Sequence, residues 1–408
     1  MGRRECDPVG LVGLSTRPCG DPAGGQWLWA AAVLAGVGVW LQETAMPWLT
    51  SGVGTDTWLV ADVGTTAKLT VCAAVLLTGA LTDLVDTPRL LRGVHVALAA
   101  VALGVATVVL ADVVGPGLLL IMATVMGLGR SALVAGWPPL VGGLPLAIVS
   151  VGHELAGRVF HGSLASLTIA AVGIGAALCA DAGAFVAVAL SLRRIPGPRA
   201  AEPVTLRRVR AVVQDGVHTM LWTPSARNVV LLGAVAAFGM SALWSLFVVV
   251  ARVQLALSEV GFGLLEAAAG VGAVGGIVLV TRLSRRRAPA GVVMRWLVAA
   301  GGCGVGLVSA GPTVPTVAVG AVAVGGVWVG CVIVMVVVLQ SAVPCHARAT
   351  AVGVGLASFY LSSALGGVLW GHVASRLNVS AALAAAGGLM VAGALVSVGL
   401  RMGRLPRH

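Results

Sequence analysis

Glu43, Asp62, Lys68, Arg130, Glu154, Arg158, His161 and Glu266 each interrupt a long apolar run. Groups of this kind bind and release protons, meet a charged solute, or pair with one another. At the centre of a bilayer a charge costs at least roughly 2.5–3.5 kcal/mol on insertion scales, so it turns toward a cavity or a partner. Helical spacing puts Gly36, Trp40, Glu43 and Pro47 on one face. Glu43 would then carry a proton or meet a cation beside Trp40, or simply orient its helix at the outer water interface. Lys68, the only lysine, falls roughly 15 Å into its run at about 1.5 Å per residue. It shares a face with Thr65 and Cys72, Asp62 being about 120° away, so an acid on another helix is its expected partner. Glu154 precedes Arg158 by four residues, the favourable order for an intrahelical pair, and His161 shares their face. Trp40, Trp137, Trp244 and Trp328 would stack on a solute or mark the membrane interface.

Several other chemistries fall away. GHELAGRVFH (152–161) lacks the His-Glu-x-x-His spacing that lets two imidazoles share one metal, since Gly157 stands at the second position. No phosphate-binding G-x-x-x-x-G-K-[ST] loop exists with Lys68 as the only lysine. The seven cysteines are scattered without CxxC spacing and read as free thiols. No metal, cofactor or enzymatic step is expected.

The elements that position these groups follow from composition. Of 408 residues, 58% are hydrophobic and 10% charged, and the mean hydropathy is +1.00. Repeated apolar runs of about 20 residues are what helices need to cross a bilayer, so the expected fold class is an all-α integral membrane protein. Spans are predicted at 27–49, 57–80, 92–112, 116–136, 150–171 and 174–193, then at 228–250, 261–282, 291–311, 316–341, 350–372 and 379–400. That divides the chain into a disordered tail (1–26), a six-helix bundle (27–194), a linker with an amphipathic middle (195–227), a second six-helix bundle (228–400) and a short tail (401–408). The net charge of +11 is nearly all arginine. Most of it falls in the tails, the linker and the segments after alternate spans, with only Arg252 and Arg376 on the other side. Basic residues mark the cytoplasmic face, so both termini are expected there, and no nucleic-acid partner is needed to explain the charge. The arginine-rich, alanine-valine-glycine usage suggests a GC-rich bacterial genome, hence the bacterial plasma (inner) membrane.

The pattern Gly38-x-Trp40-x-Gln42-x-x-Ala45-x-x-Trp48-Leu49 resembles the first helix of the major facilitator superfamily, in the branch holding the enterobactin exporter and macrolide and multidrug efflux permeases. GALTDLVDTPRLL (79–91) resembles that superfamily's loop between helices 2 and 3, with Gly79, Asp83 and Arg89 in matching places. GFGLLEAAAGVGAVGG (261–276) is similar to the branch's glycine-rich eighth helix, RLSRRR (282–287) to the loop after it, and LQSAVPCHAR (339–348) to the entry of helix 11. The resemblance covers residues 30 to 400. It implies two bundles around a central cleft and a proton-driven exporter of small organic molecules, drug, antibiotic or siderophore-like, working as a monomer with no cofactor beyond the proton gradient. The implied pathway residues are Trp40, Glu43, Asp62, Lys68, Arg130, Arg158 and Glu266, with Arg130 standing where relatives carry an arginine near the binding site. The implied gating residues are Gly79, Asp83, Arg89, Gly276, Arg282, Arg285 and Arg348. Leu84 and Thr350 replace arginines of the family's loops, and Gly162-Ser163 stands where a Gly-Pro pair is usual. These departures leave open a non-transporting sensor or assembly protein of the same fold, or a facilitator or importer.

A protease-cleavable tag at either terminus is expected to be cut in inverted membrane vesicles and spared in intact spheroplasts; cutting at only one terminus would contradict an even number of spans.

Overall fold

The computed structural model describes residues 30, 31, 34, 35, 38, 42, 45, 46, 49, 50, 63–75, 87–111, 115–140, 171–194, 210, 214, 217–343, 348–400 and 402. Among them the chain is helical almost throughout. The described residues between 30 and 50 are helical and are called α1; α2 is Val63–Val75. Then follow α3 (Thr87–Leu110), α4 (Pro116–Leu140), α5 (Ile174–Ser191), α6 (Pro224–Val249), α7 (Glu259–Arg285), α8 (Ala290–Ala310), α9 (Val314–Ala342), α10 (Arg348–Arg376) and α11 (Val379–Val396). Eight described helices are long and apolar enough to cross a membrane.

Local chemistry sets their ends. Pro224 opens α6 in its first turn, four residues before the predicted start, because a proline there sacrifices only an N–H that has no helical partner. Ser258 caps α7 by accepting from the Gly261 N–H, and Asn378 caps α11 by accepting from Ala381 N at 2.7 Å. At α9, Thr313 and Thr316 form a reciprocal capping box. Beyond α6 the chain widens into a π-turn, Val250–Gln254, which carries Arg252, and Ala256 then takes a left-handed φ of 51°. Residues 217–222 in the predicted amphipathic linker are helical, with Met220 buried and Trp222 exposed.

The two halves have separate cores. One continuous apolar cluster runs from Met220 to Met402. The first half has two clusters. One holds Ala31, Ala35, Leu91, Leu98, Phe185 and Val188. The other holds Ala45, Met46, Val105, Leu119, Met122 and Leu178. Leu110, Trp296 and Val396 are left outside at 71%, 73% and 85% exposure, as expected of surface that meets lipid. The helix α6 is the most enclosed span, with 78% of its apolar window buried against 33% for α3, so α6 is central and α3 peripheral.

In hydrocarbon, helices associate by close packing, which favours small residues at the contact. The α7–α9 seam is built this way. A methyl on Gly272 would strike the Val322 carbonyl, one on Gly276 the Gly326 carbonyl, and one on Gly325 the Ala269 carbonyl. In the α8–α11 seam, Gly302 and Gly387 face each other's backbones.

Gly276→Val is therefore expected to destabilise the protein by about 1–3 kcal/mol through overpacking, read as a lower midpoint of thermal unfolding in detergent. Gly275→Ala adds a methyl that meets nothing within 4 Å and is expected to hold or raise that midpoint, by up to ~1 kcal/mol.

Candidate functional site

Where the halves meet, α2 faces α10. The Thr65 hydroxyl donates to the Ala364 carbonyl at 3.4 Å, a long bond. A side chain at Gly367 would stand 2.8 Å from Thr65 Oγ1 and 3.0 Å from Ser245 Oγ of α6. The Ser245 and Ser363 hydroxyls are buried without hydrogen-bond partners. Among the described residues, the one hydrogen bond given between α2 and α10 is this long one.

Lys68 lies one turn along α2 from Thr65 and, on a helical period, on the same side. It is half-buried. No acid among the described residues pairs with Lys68, and the acids Glu43, Asp83 and Glu154 lie outside them. Beside it, Gly127 of α4 lets that helix close onto α2, since a methyl there would meet Thr70 Cβ at 2.7 Å. Arg130 is one turn further along α4, half-buried, with its Cζ 6.0 Å from the ring centroid of Tyr360 on α10. A guanidinium at that distance is held by the ring's electron-rich face, and this contact spans the two halves.

Tyr360 ends an aromatic chain through the second half. Trp328 packs edge-on against Phe359 at 4.8 Å, Tyr360 at 6.5 Å and Trp244 at 6.3 Å; Trp244 meets Phe247 at 5.9 Å. Trp328 is buried and Trp244 half-buried, so these two candidate stacking residues pack on each other.

The remaining sequence candidates are dispersed. Glu266 is half-buried in α7, Arg89 is exposed in the first turn of α3, and Arg282 and Arg285 are exposed in the last turn of α7. Gly276 lies inside α7 against Gly326, and Arg348 opens α10. Trp40, Glu43, Asp62, Gly79, Asp83, Glu154, Arg158 and His161 lie outside the described residues.

The sequence reading passes over two ionisable groups in the first half. Asp181 of α5 is buried at 4% exposure and accepts from Gln42 Nε2 of α1 at 2.7 Å. His95 of α3 is fully buried; its Nδ1–H donates to the Leu91 carbonyl at 2.7 Å, and its ring meets Phe185 of α5 at 5.9 Å. Both stand inside predicted spans, so the rule that selects Lys68 selects them too.

The sequence profile of a family described as transmembrane secretion effector, of the major facilitator superfamily, matches residues 24–407. The chain belongs to this family. Its fold is the major facilitator fold, and solved structures of that fold superpose over nearly the whole chain. The nucleoside transporter NupG gives a TM-score of 0.73 at 13% identity, covering 92% of this chain and 98% of its own. The human organic anion transporter MFSD10 gives 0.67 at 14%, covering 92% and 100%. A bacterial homologue of the human lysosomal transporter Spinster, inward-facing and unoccupied, gives 0.65 at 15%, covering 93% and 96%. No curated protein sequence matches it. For a major facilitator protein, the meeting of α2, α4, α6 and α10 is the contact between bundles, and Lys68 and Arg130 are cations at that contact.

An interior lysine that no described acid pairs costs stability, which a binding role would justify. Lys68→Met is expected to raise the thermal midpoint, by roughly 1–3 kcal/mol, while removing activity; a structural lysine would show the reverse, lost stability.

Proposed function

We propose that the chain is a secondary active exporter of small organic anions, coupled to inward proton flow by alternating access. The observation that carries the anionic class is Lys68, a cation at the contact between bundles with no described acid pairing it, one helix away from Arg130 above Tyr360. A carboxylate or phosphate on the solute would supply the missing counter-charge, and the aromatic chain ending at Tyr360 would flank an apolar body. Export agrees with the resemblance of the α1 and α7 sequences to efflux permeases and with the family's description as a secretion effector.

The arginine distribution makes the end where Thr65 meets Ala364 the outer one, so this seam is an outer gate, held closed by a bond at 3.4 Å. A gate that must open each cycle needs contacts of this strength. Proton carriers are expected among Glu43 and Asp62, the carboxylates that the sequence places within the first two spans. The fold-related nucleoside and lysosomal transporters share too little sequence to transfer a substrate.

Inverted vesicles carrying the protein test this directly. With an acid-interior gradient imposed, a fluorescent aryl carboxylate is expected to accumulate, and a protonophore to abolish the accumulation. Lys68→Gln is expected to lose roughly ten- to a hundredfold in uptake, the worth of one charge-assisted hydrogen bond. Accumulation indifferent to the protonophore would sink the coupling; equal transport of a cationic dye and of the carboxylate, unaffected by Lys68→Gln, would sink the anion class.

A further inference from the structure

The first half's core is cut in two by a polar layer. On α5, Ala177 and Leu178 belong to one apolar cluster and Ala182, Phe185 and Val188 to the other, with Asp181 between them. On α1, Ala35 belongs to one and Ala45 and Met46 to the other, with Gln42 between. Among the described residues the layer is one side-chain pair thick: Gln42 Nε2 donates to Asp181 Oδ2 at 2.7 Å, and both residues are buried, at 2% and 4% exposure. Gly38, one turn from Gln42, brings the backbone of α1 against the other carboxyl oxygen. A methyl there would collide with Asp181 Oδ1 and come within 2.7 Å of Phe185 Cζ. Oδ1 itself is buried without a hydrogen-bond partner.

One neutral amide donor leaves an ionised carboxylate poorly compensated this far from water. Buried carboxylates that keep their charge have a cation or several donors at hand. The surroundings of Asp181 hold neither among the described residues. From α1 come Gln42 and Gly38. From α3 comes His95, whose ring meets Phe185 one turn away and whose Nδ1–H is committed to the Leu91 carbonyl. Arg89 and Arg92 lie at the start of α3, His95 standing between them and the layer; Arg193 and Arg194 lie beyond the end of α5. On α2, which joins the same apolar cluster through Val63, Lys68 shares the side of Thr65 that faces α10.

We propose that Asp181 is a proton-binding site and that Gln42 reports its state to α1. An amide can do this because it presents a donor on one atom and an acceptor on the other. When Asp181 is ionised, Gln42 Nε2–H donates to Oδ2, as seen. When a proton binds Oδ2, that oxygen becomes a donor and no longer faces Gln42 Nε2–H as an acceptor. The Nε2–H···Oδ2 bond then breaks, the amide turns over, and Gln42 Oε1 accepts from the carboxylic acid. The proton leaves by the reverse step. Each change swaps the bond joining α1 to α5 within a layer whose apolar neighbours offer no substitute. The inference stands apart from the transported solute, because it concerns a proton whose presence can be read without any substrate.

Infrared difference spectroscopy on the full chain in liposomes, titrated with alkali, is the test. A carboxylic-acid C=O band is expected that bleaches as pH rises, is absent in Asp181→Asn, and shifts in frequency in Asp181→Glu. Gln42→Leu is expected to keep the band but shift its frequency, having lost the amide partner. A purely structural clamp would give no titrating band, and that result overturns the proposal, as does a titrating band that survives Asp181→Asn unchanged. Should Asp181→Asn fail to elute as a monodisperse peak, the two frequency shifts decide: both present supports the site, neither present overturns it. The anion-transport reading is untouched by a null here, since it is read from Lys68 and the solute.

Discussion

Apolar surface gains little by exchanging lipid for another apolar surface, so the helices of this chain must be held by contact alone. The second half meets that constraint by removing side chains. Gly272, Gly276 and Gly325 bring the backbones of α7 and α9 together, and Gly302 and Gly387 do the same for α8 and α11. Once the backbones are that close, dispersion contacts accumulate along the seam, and the remaining larger side chains interlock in one cluster from Met220 to Met402. The aromatic chain through Trp244, Trp328 and Phe359 then has fixed walls to stand on.

The first half solves the same problem differently. Among its described residues an amide–carboxyl pair divides the core, and a glycine at 38 makes room for the carboxyl rather than for another helix backbone. Between the halves, the described contacts include a hydroxyl on a carbonyl and a guanidinium over a ring.

Much of this was legible in the residues because membrane helices advertise themselves. Hydropathy located every described span, since that signal depends on local composition. The ends shifted where caps decided them: Pro224 started α6 early, and Ser258 and Thr313 moved the starts of α7 and α9 outward by two residues each. The site was less legible. Lys68 was singled out by being a cation in an apolar run, but which helices surround it was not, because packing between helices has no signature in spacing. Asp181 was equally visible as an acid in a span. What gives it meaning is Gln42, 139 residues away in sequence, and only the packing of α1 on α5 joins them. Tyr360 offered no signal at all, being an ordinary aromatic residue until Arg130 stands over it. The Gly-x-x-x-Gly spacing of 272 and 276 packs on the Val322 and Gly326 carbonyls opposite.

Contact between two main chains also has a mechanical meaning. Helices that touch through side chains can slide, because rotamers absorb the small displacements of a shear. Along Gly272–Val322 and Gly276–Gly326 there are no rotamers to turn, so α7 and α9 behave as a single strut. Bending in this half is left to the ends of that strut, where the wide turn after α6 and the left-handed residue at 256 already depart from regular helix.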